Sequence, residues 1–424
     1  MDIKILFEEI ENYLSKYTEI ENINEQNAKN DFRKEWKEVC SYNDGAEKYG
    51  NALNIYSIVL EKSISSQSDI EYLEILIKEY DTQKDCKFKI WIKESLFFNL
   101  GICWTNLGCD GKAIEAYKKY LFYLFSMGIN TTYSNIEAYA FRNCGEYTFK
   151  SLINEQLNLS SPSVFNDPFD CPIVVLLKKY DDKVNELILK AYDDCLKIAC
   201  FSRKYKFEST GDKEGNKKEK HPNEKDEYLN ALMWAHYADS HKGICIKFHF
   251  GKNMTKMITN SDKEISYFKD TIYSDKAMSN YSGSVSTISV NDSIFLKGQC
   301  WEYENELRYM NFDINGSGTH KQIDIPNCIA AVYFGLKCSQ ENKDTIIKIL
   351  KGRKWKEIIP ANLLKKTPEN EVEKDIEFFQ MEMDQSHFGQ LIAKKITPYE
   401  SNITFWQKLC KCFERIKSFV KRVI

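Results

Sequence analysis

The chain is 424 residues long, well beyond the ~150 residues of one ordinary domain, so two or three domains are expected. Hydrophobic residues make up 43%, enough for sizeable cores, and this excludes wholesale disorder. Lys and Arg total 59 against 62 Asp and Glu, a formal net charge of −3, so the composition carries no strong nucleic-acid signal.

The 14 cysteines are scattered from Cys40 to Cys412 with no C-x-x-C pair. Secreted disulfide scaffolds are short and cysteine-dense, and zinc sites use close paired spacings. Neither pattern is present, so reduced, mostly buried thiols and a cytoplasmic location are expected. The opening text MDIKILFEEIENYL has too short an apolar run for a signal peptide. No apolar stretch approaches the ~18 residues of a membrane span.

The residues before 130 read as helices. In SLFFNLGICWTNLGCDGKAIEAYKKYLFYLFSM, Leu100, Gly101 and Trp104 are followed by Gly108, Ala113, Tyr117 and Tyr120. This is tetratricopeptide spacing: a small residue lets one helix approach the next, and large residues fill the groove. A partial copy, GNALNIYSIVLEK, places Ala52 and Tyr56 where Ala113 and Tyr117 stand. Residues 1–132 are therefore expected to form a tetratricopeptide-like helical domain that receives a protein or peptide partner.

Strand-like text then begins, with AYAFRNC, LNLSSPSVFNDPFD and IACFS, and a helix between about Val174 and Leu196. Ser209–Glu227 carries mixed charges and no large apolar side chain, which reads as a loop. EYLNALMWAHYADSHKGICIKFHF reads as helix, stop and strand, with Gly243 expected as the left-handed residue after the helix. Further strands are expected near Cys300–Phe312 and Ile329–Phe334, and a helix near Glu341–Leu350. The fold class is α+β: a repeat-like helical domain followed by a mixed α/β sheet domain over 133–400. Residues 401–424 are expected to form a basic amphipathic helix. Its stripe of Trp406, Leu409, Phe413, Ile416, Val420 and Val423 is expected to pack on the chain itself, with a partner groove or weak membrane-surface contact as the alternatives.

CWEYENELRYM carries the densest chemistry. Period-2 alternation over this text places Glu302, Glu304, Glu306 and Arg308 on one strand face. Carboxylates crowded this way suit acid/base work or stabilisation of a cationic transition state, and equally an exposed face. Asn166-Asp167-Pro168 is a turn signal, and Ser160 and Ser161 end a strand beside it. His236 and His241 flank a helix end, too few for a metal site, and no metal is expected.

The blocks AYAFRN, LINEQLNLSSPSVFNDPFD, IACFS, LMWAHYADSHKGICIKF, CWEYENELRYM and IAAVYFGLKCS occur in that order. Together they resemble the bacterial family called domain of unknown function 2971, over roughly Glu137 to Leu350. The family name itself confers no activity. The order of Arg142, the Ser160–Ser163 run and Glu304-x-Glu306 is also similar to the R-S-E class of ADP-ribosyltransferases. That resemblance implies NAD as substrate and an ADP-ribosyltransferase-like fold. Arg142 would pair with the pyrophosphate, and Ser160, Ser161, Asn166, Asp167, His236 and Tyr237 would complete the cofactor-binding set. Glu306 would stabilise the oxocarbenium-like charge and Glu304 would orient the acceptor. The Arg-to-Ser distance is short for that class, and the serine run is not its usual Ser-Thr-Ser. The expected function is an NAD-consuming transferase or glycohydrolase controlled by the helical domain, in a setting such as phage defence. A non-enzymatic sensor or adaptor and a metal-dependent nuclease using Asp167 or Asp170 with Glu304 and Glu306 are the alternatives.

Overall fold

The computed structural model describes residues 50–54, 56–58, 66–81, 90–126, 136–167, 169–171, 181–203, 227–251, 261–275, 290–359 and 370–397. Almost all of the expected loop at Ser209–Glu227 and the expected tail helix at 401–424 lie outside these residues. The described chain is α+β, with helices in its N-terminal part and mixed sheet after them.

Three helices come first: α1 (Gln67–Asp81), α2 (Ile90–Asn106) and α3 (Asp110–Ser126). Helix α2 is apolar around most of its circumference, and Leu96, Leu100, Cys103 and Trp104 are buried. A helix of that kind needs cover on several sides. Helix α3 follows after a tight turn at Gly108 (φ 69°), and Asp110 in its first turn complements the helix dipole. The spacing expected between α2 and α3 is present: a Cβ built on Gly101 would lie 2.3 Å from the Tyr117 ring. Tyr117 also meets Thr105, hydroxyl to hydroxyl, at 3.0 Å. Trp104 ties α1 in, its Nε1 donating to Glu74 Oε1 at 2.9 Å. Ala52 and Tyr56, the residues of the partial copy, are buried in the same core.

The chain divides into two compact units, each assembled from separated segments. The first comprises Met1–Ser134, Leu157–Ser202 and Lys252–Ile323. In it the helices share a core with strands β3 (Leu196–Ser202), β5 (Glu264–Asp270) and β8 (Glu306–Asp313), while β2 (Gln156–Ser160) and β9 (His320–Asp324) lie outside that core. Strand β8 runs antiparallel between β3 and β5. Phe122 and Phe125 of α3 pack on Phe312 of β8, at ring separations of 6.4 and 5.5 Å. Helix α5 (Asp182–Cys195), the described part of the helix expected from Val174, starts at an Asp181 side chain that accepts from the Lys183 amide. Aspartate there caps the helix, so the acid has a structural reason.

The second unit comprises Asn135–Gln156, Arg203–Gly251 and Asp324–Ile424. Strand β4 (Ile244–Phe250) lies between β1 (Ile136–Arg142) and β10 (Ile329–Phe334), antiparallel to both. After the antiparallel pair β11 (Lys354–Ile359) and β12 (Asn370–Asp375), strand β13 (Glu377–Met383) adds parallel to β10, and β14 (Leu391–Ile396) closes the edge. Both faces of β4 are buried, so its alternating text does not produce a wet face. Helices α4 (Glu146–Asn154) and α7 (Gln340–Leu350) follow β1 and β10 and pack on each other. Helix α6 (Ala231–Tyr237) precedes β4.

The helix stop before β4 differs from the expected one. The left-handed residues are Asp239, Ser240 and His241, with φ of 46°, 52° and 71°, and not Gly243. Gly243 is there for space: a Cβ on it would sit 2.1 Å from the carbonyl oxygen of Arg142. Among the described residues no helix is long and apolar enough to cross a membrane.

A Gly101→Ala substitution puts a methyl group inside the contact distance of the Tyr117 ring. Overpacking of this kind costs about 1–3 kcal/mol. The urea midpoint should fall with an unchanged m-value, and an unchanged midpoint would mean that α2 and α3 do not meet at this position.

Candidate functional site

The text CWEYENELRYM is not one strand. Gln299–Glu304 forms a 3₁₀ helix, Asn305 takes a left-handed conformation (φ 42°), and β8 begins only at Glu306. The expected single face carrying Glu302, Glu304, Glu306 and Arg308 is therefore corrected: Glu302 is exposed on the 3₁₀ turn. Asn305 supplies the sharp change of direction, which asparagine tolerates better than most residues. The turn brings Glu304 and Glu306 to the same cation by a route that strand periodicity could not reveal.

That cation is Lys297, at the end of the short strand β7 (Leu296–Lys297), which pairs in parallel with β6 (Ile272–Tyr273). Its ammonium donates to Glu304 Oε2 at 2.7 Å and to Glu306 Oε2 at 3.1 Å. Asp170 Oδ2 lies 3.6 Å from the same nitrogen. Arg308 supplies the second cation, with no solvent exposure. Its Nε and Nη2 reach Glu306 Oε1 and Oε2, both at 3.0 Å, and Nη2 also reaches Asp170 Oδ1 at 2.7 Å. Its Nη1 donates to the Ile294 carbonyl at 2.8 Å and to Cys171 Sγ at 3.0 Å. All five guanidinium N–H groups are thus engaged.

Three carboxylates meet two cations here, which leaves one formal negative charge among these five side chains. All five side chains are at most 7% exposed. Burial acts to raise the Glu306 pKa, but Arg308 and then Lys297 outweigh it and hold the carboxyl ionised down to about 2. Burial acts to deprotonate Lys297, and Glu306, Glu304 and Asp170 overcome it, so the ammonium stays charged. Burial pushes the Cys200 thiol up, and that thiol bonds to Glu306. The Tyr273 hydroxyl accepts from the Glu306 amide at 2.8 Å, which fixes the start of β8.

Asp170 and Cys171 bring the FNDPFD block to this cluster. Asp167 shapes the turn, its Oδ1 accepting from the Phe169 amide at 2.9 Å. The Phe165 ring lies 6.0 Å from the Arg308 guanidinium carbon. Asn166 is exposed. Ser160 meets His320 Nδ1 at 3.2 Å on the surface. Ser161 is fully buried, and its hydroxyl donates to the Asp193 carbonyl at 2.8 Å. Arg142, His236 and Tyr237 belong to the second unit. There Arg142 Nη1 donates to its neighbour's carbonyl, Phe141 O, at 2.8 Å. His236 is exposed, its ring edge-on to Tyr237 at 6.3 Å.

Sequence reasoning missed Lys297. The available signal was a lysine closing the apolar run Ile294-Phe295-Leu296 just before the acidic text. Such a lysine is buried only when carboxylates meet it.

The second unit holds a separate cavity of about 260 Å³ where β1 and β10 end and β4 begins. Asn143, Cys144, Asp239, Lys242, Lys337 and Ser339 are among its lining residues.

Replacing Arg308 with Met leaves three buried carboxylates facing Lys297 alone. Breaking a buried pair in this way costs about 3–5 kcal/mol. Because the Glu306 pKa is depressed from 4.5 to about 2, its stabilising contribution is complete above pH 4.5 and is lost as pH falls towards 2. Urea unfolding across that window should show a steeper loss for the wild type than for Glu306→Gln; parallel curves would remove the ion pair from the account.

No curated protein and no solved structure matches the chain. The segment that carries Lys297, Glu304, Glu306, Arg308 and the left-handed Asp239–His241 turn, residues 233–309, matches the family described as Protein of unknown function (DUF2971).

Proposed function

We propose that this chain consumes NAD, as an ADP-ribosyltransferase or NAD glycohydrolase with an ADP-ribosyltransferase-like fold, and that Glu306 and Glu304 are its catalytic carboxylates. The observation that carries the reading is the formal excess of one negative charge in the buried cluster around Lys297 and Arg308. Cleavage of the nicotinamide–ribose bond develops positive charge on the ribose. An ionised carboxylate fixed in a low-dielectric site stabilises that charge best. Glu306 meets this requirement because Arg308 holds it through both oxygens and keeps it ionised.

In this reading Arg308 and Lys297 position Glu306, and Glu304 orients the acceptor or water. The hydroxyl of Ser161 is committed to Asp193, so the reading does not use it. The nuclease alternative is weaker. A divalent cation would sit where the three carboxylates converge, and the ammonium of Lys297 occupies that point. The helical repeat text supports a sensing role towards a protein or peptide partner, and a defence setting fits that combination.

The test is nicotinamide release from NAD by the full chain, alone and with candidate acceptor proteins. Glu304→Gln should lower the rate by about 10²-fold or more, the scale for losing acid–base assistance. Glu306→Gln should do the same at a pH and temperature where unfolding shows it remains folded. Full activity in both variants would end the assignment, and no turnover by the wild type would favour the non-enzymatic adaptor.

A further inference from the structure

The ten described cysteines are free thiols, and two of them face each other in the second unit. Cys144 lies in the turn from β1 into α4, and Cys338 in the turn from β10 into α7. Each is the residue just before a helix N-cap, Gly145 in one case and Ser339 in the other. The two turns are held together by the loop that feeds β4. The Lys337 amide donates to His241 O at 2.9 Å, and the Gly335 amide to Gly243 O at 3.0 Å. The Cys144 thiol approaches Lys242 O at 3.7 Å and also bonds to the Cys338 sulfur. Cys144, Lys242, Lys337 and Ser339 line the 260 Å³ cavity, which is large enough for a small oxidant.

We propose that Cys144 and Cys338 are a redox pair that closes reversibly into a disulfide, with a hydroperoxide as oxidant. The inference does not depend on the NAD reading. Thiols that hydrogen-bond to each other from two turns tied to the same loop need little backbone movement to reach S–S distance. The two thiols differ: the bond to Cys338, burial and the nearby Asp239 keep Cys144 protonated, so Cys338 is the one that reaches the thiolate, the reactive form. The Cys144 hydrogen bond, against the opposing effect of burial, and the Lys343 charge hold the Cys338 thiol below its ordinary pKa.

The chemistry balances. The Cys338 thiolate attacks the outer oxygen of the hydroperoxide; an S–O bond forms, the O–O bond breaks, and the alkoxide leaves and takes up a proton as the alcohol. The Cys144 thiol then attacks the Cys338 sulfur and gives up its proton to the departing hydroxide. The S–S bond forms, the S–O bond breaks, and hydroxide leaves as water. Two thiols are oxidised and one peroxide is reduced. The bond ties the β1–α4 turn to the β10–α7 turn across the cavity and fixes Lys242 and Lys337 at its rim.

The experiment uses the full chain, purified reduced and folded, with hydrogen peroxide as the probe. After brief oxidation, blocking of free thiols and trypsin digestion without reductant, the peptides Asn143–Lys150 and Cys338–Lys343 should appear joined, with the loss of two hydrogens. Dithiothreitol should separate them. Alkylation of both cysteines should fall by about tenfold or more on oxidation, while alkylation of the buried Cys245 does not change. The joined peptide should be absent from both Cys144→Ser and Cys338→Ser. If the wild type gives no joined peptide, or joins Cys144 to other cysteines in equal yield, the proposal fails.

Discussion

Arg308 is the side chain on which the first unit depends. A guanidinium with no solvent exposure is tolerated only when each of its donors finds a partner, and here each does. Its partners come from three places in the chain: Asp170 and Cys171, Ile294, and Glu306 on its own strand. One residue therefore sets where the FNDPFD turn, the 3₁₀ helix Val290–Phe295 that holds Ile294, and the start of β8 lie relative to one another. Lys297 extends the same network to Glu304. Asp170 of the FNDPFD block and Glu304, Glu306 and Arg308 of CWEYENELRYM are then parts of one buried cluster.

The sequence made much of this visible and hid the rest for physical reasons. The α2–α3 contact was legible because Gly101 and Tyr117 are complementary in size at helical spacing. Strand β10 was legible because Ile329–Phe334 is an unbroken apolar run. The face of Glu304 and Glu306 was misread because period-2 reasoning assumes a continuous strand, and Asn305 breaks it with a left-handed turn. Lys297 was hidden because a lone lysine ordinarily reads as exposed. Its burial depends on carboxylates from other segments, Asp170 among them, and single-sequence patterns do not report such long-range pairing.

In the second unit the corresponding constraint is crowding of backbone. Residues 238–243 thread between the ends of β1 and β10, with Gly243 against the Arg142 carbonyl. Three consecutive left-handed residues without a glycine are costly. They are held in place by the Lys337 amide, which donates to the His241 carbonyl, and the Gly335 amide, which donates to the Gly243 carbonyl. This also accounts for the MWAHYADSHKG block as one structural piece of chain: a short helix, a strained turn and the approach to a central strand.

The interleaving of the two units bears on how the protein is made. Strand β4 pairs with β1 across more than a hundred intervening residues, and β8 pairs with β3 at a similar separation. Loops of that size must close before either sheet gains stability, so high contact order and slow folding are built into the topology. Neither unit is complete until residues beyond 320 have been synthesised. At ribosomal speeds of about 5–20 residues per second, β1 and β3 wait many seconds for their partners. During that interval their apolar edges are exposed, which makes the nascent chain a natural client for chaperones that cover unpaired strands.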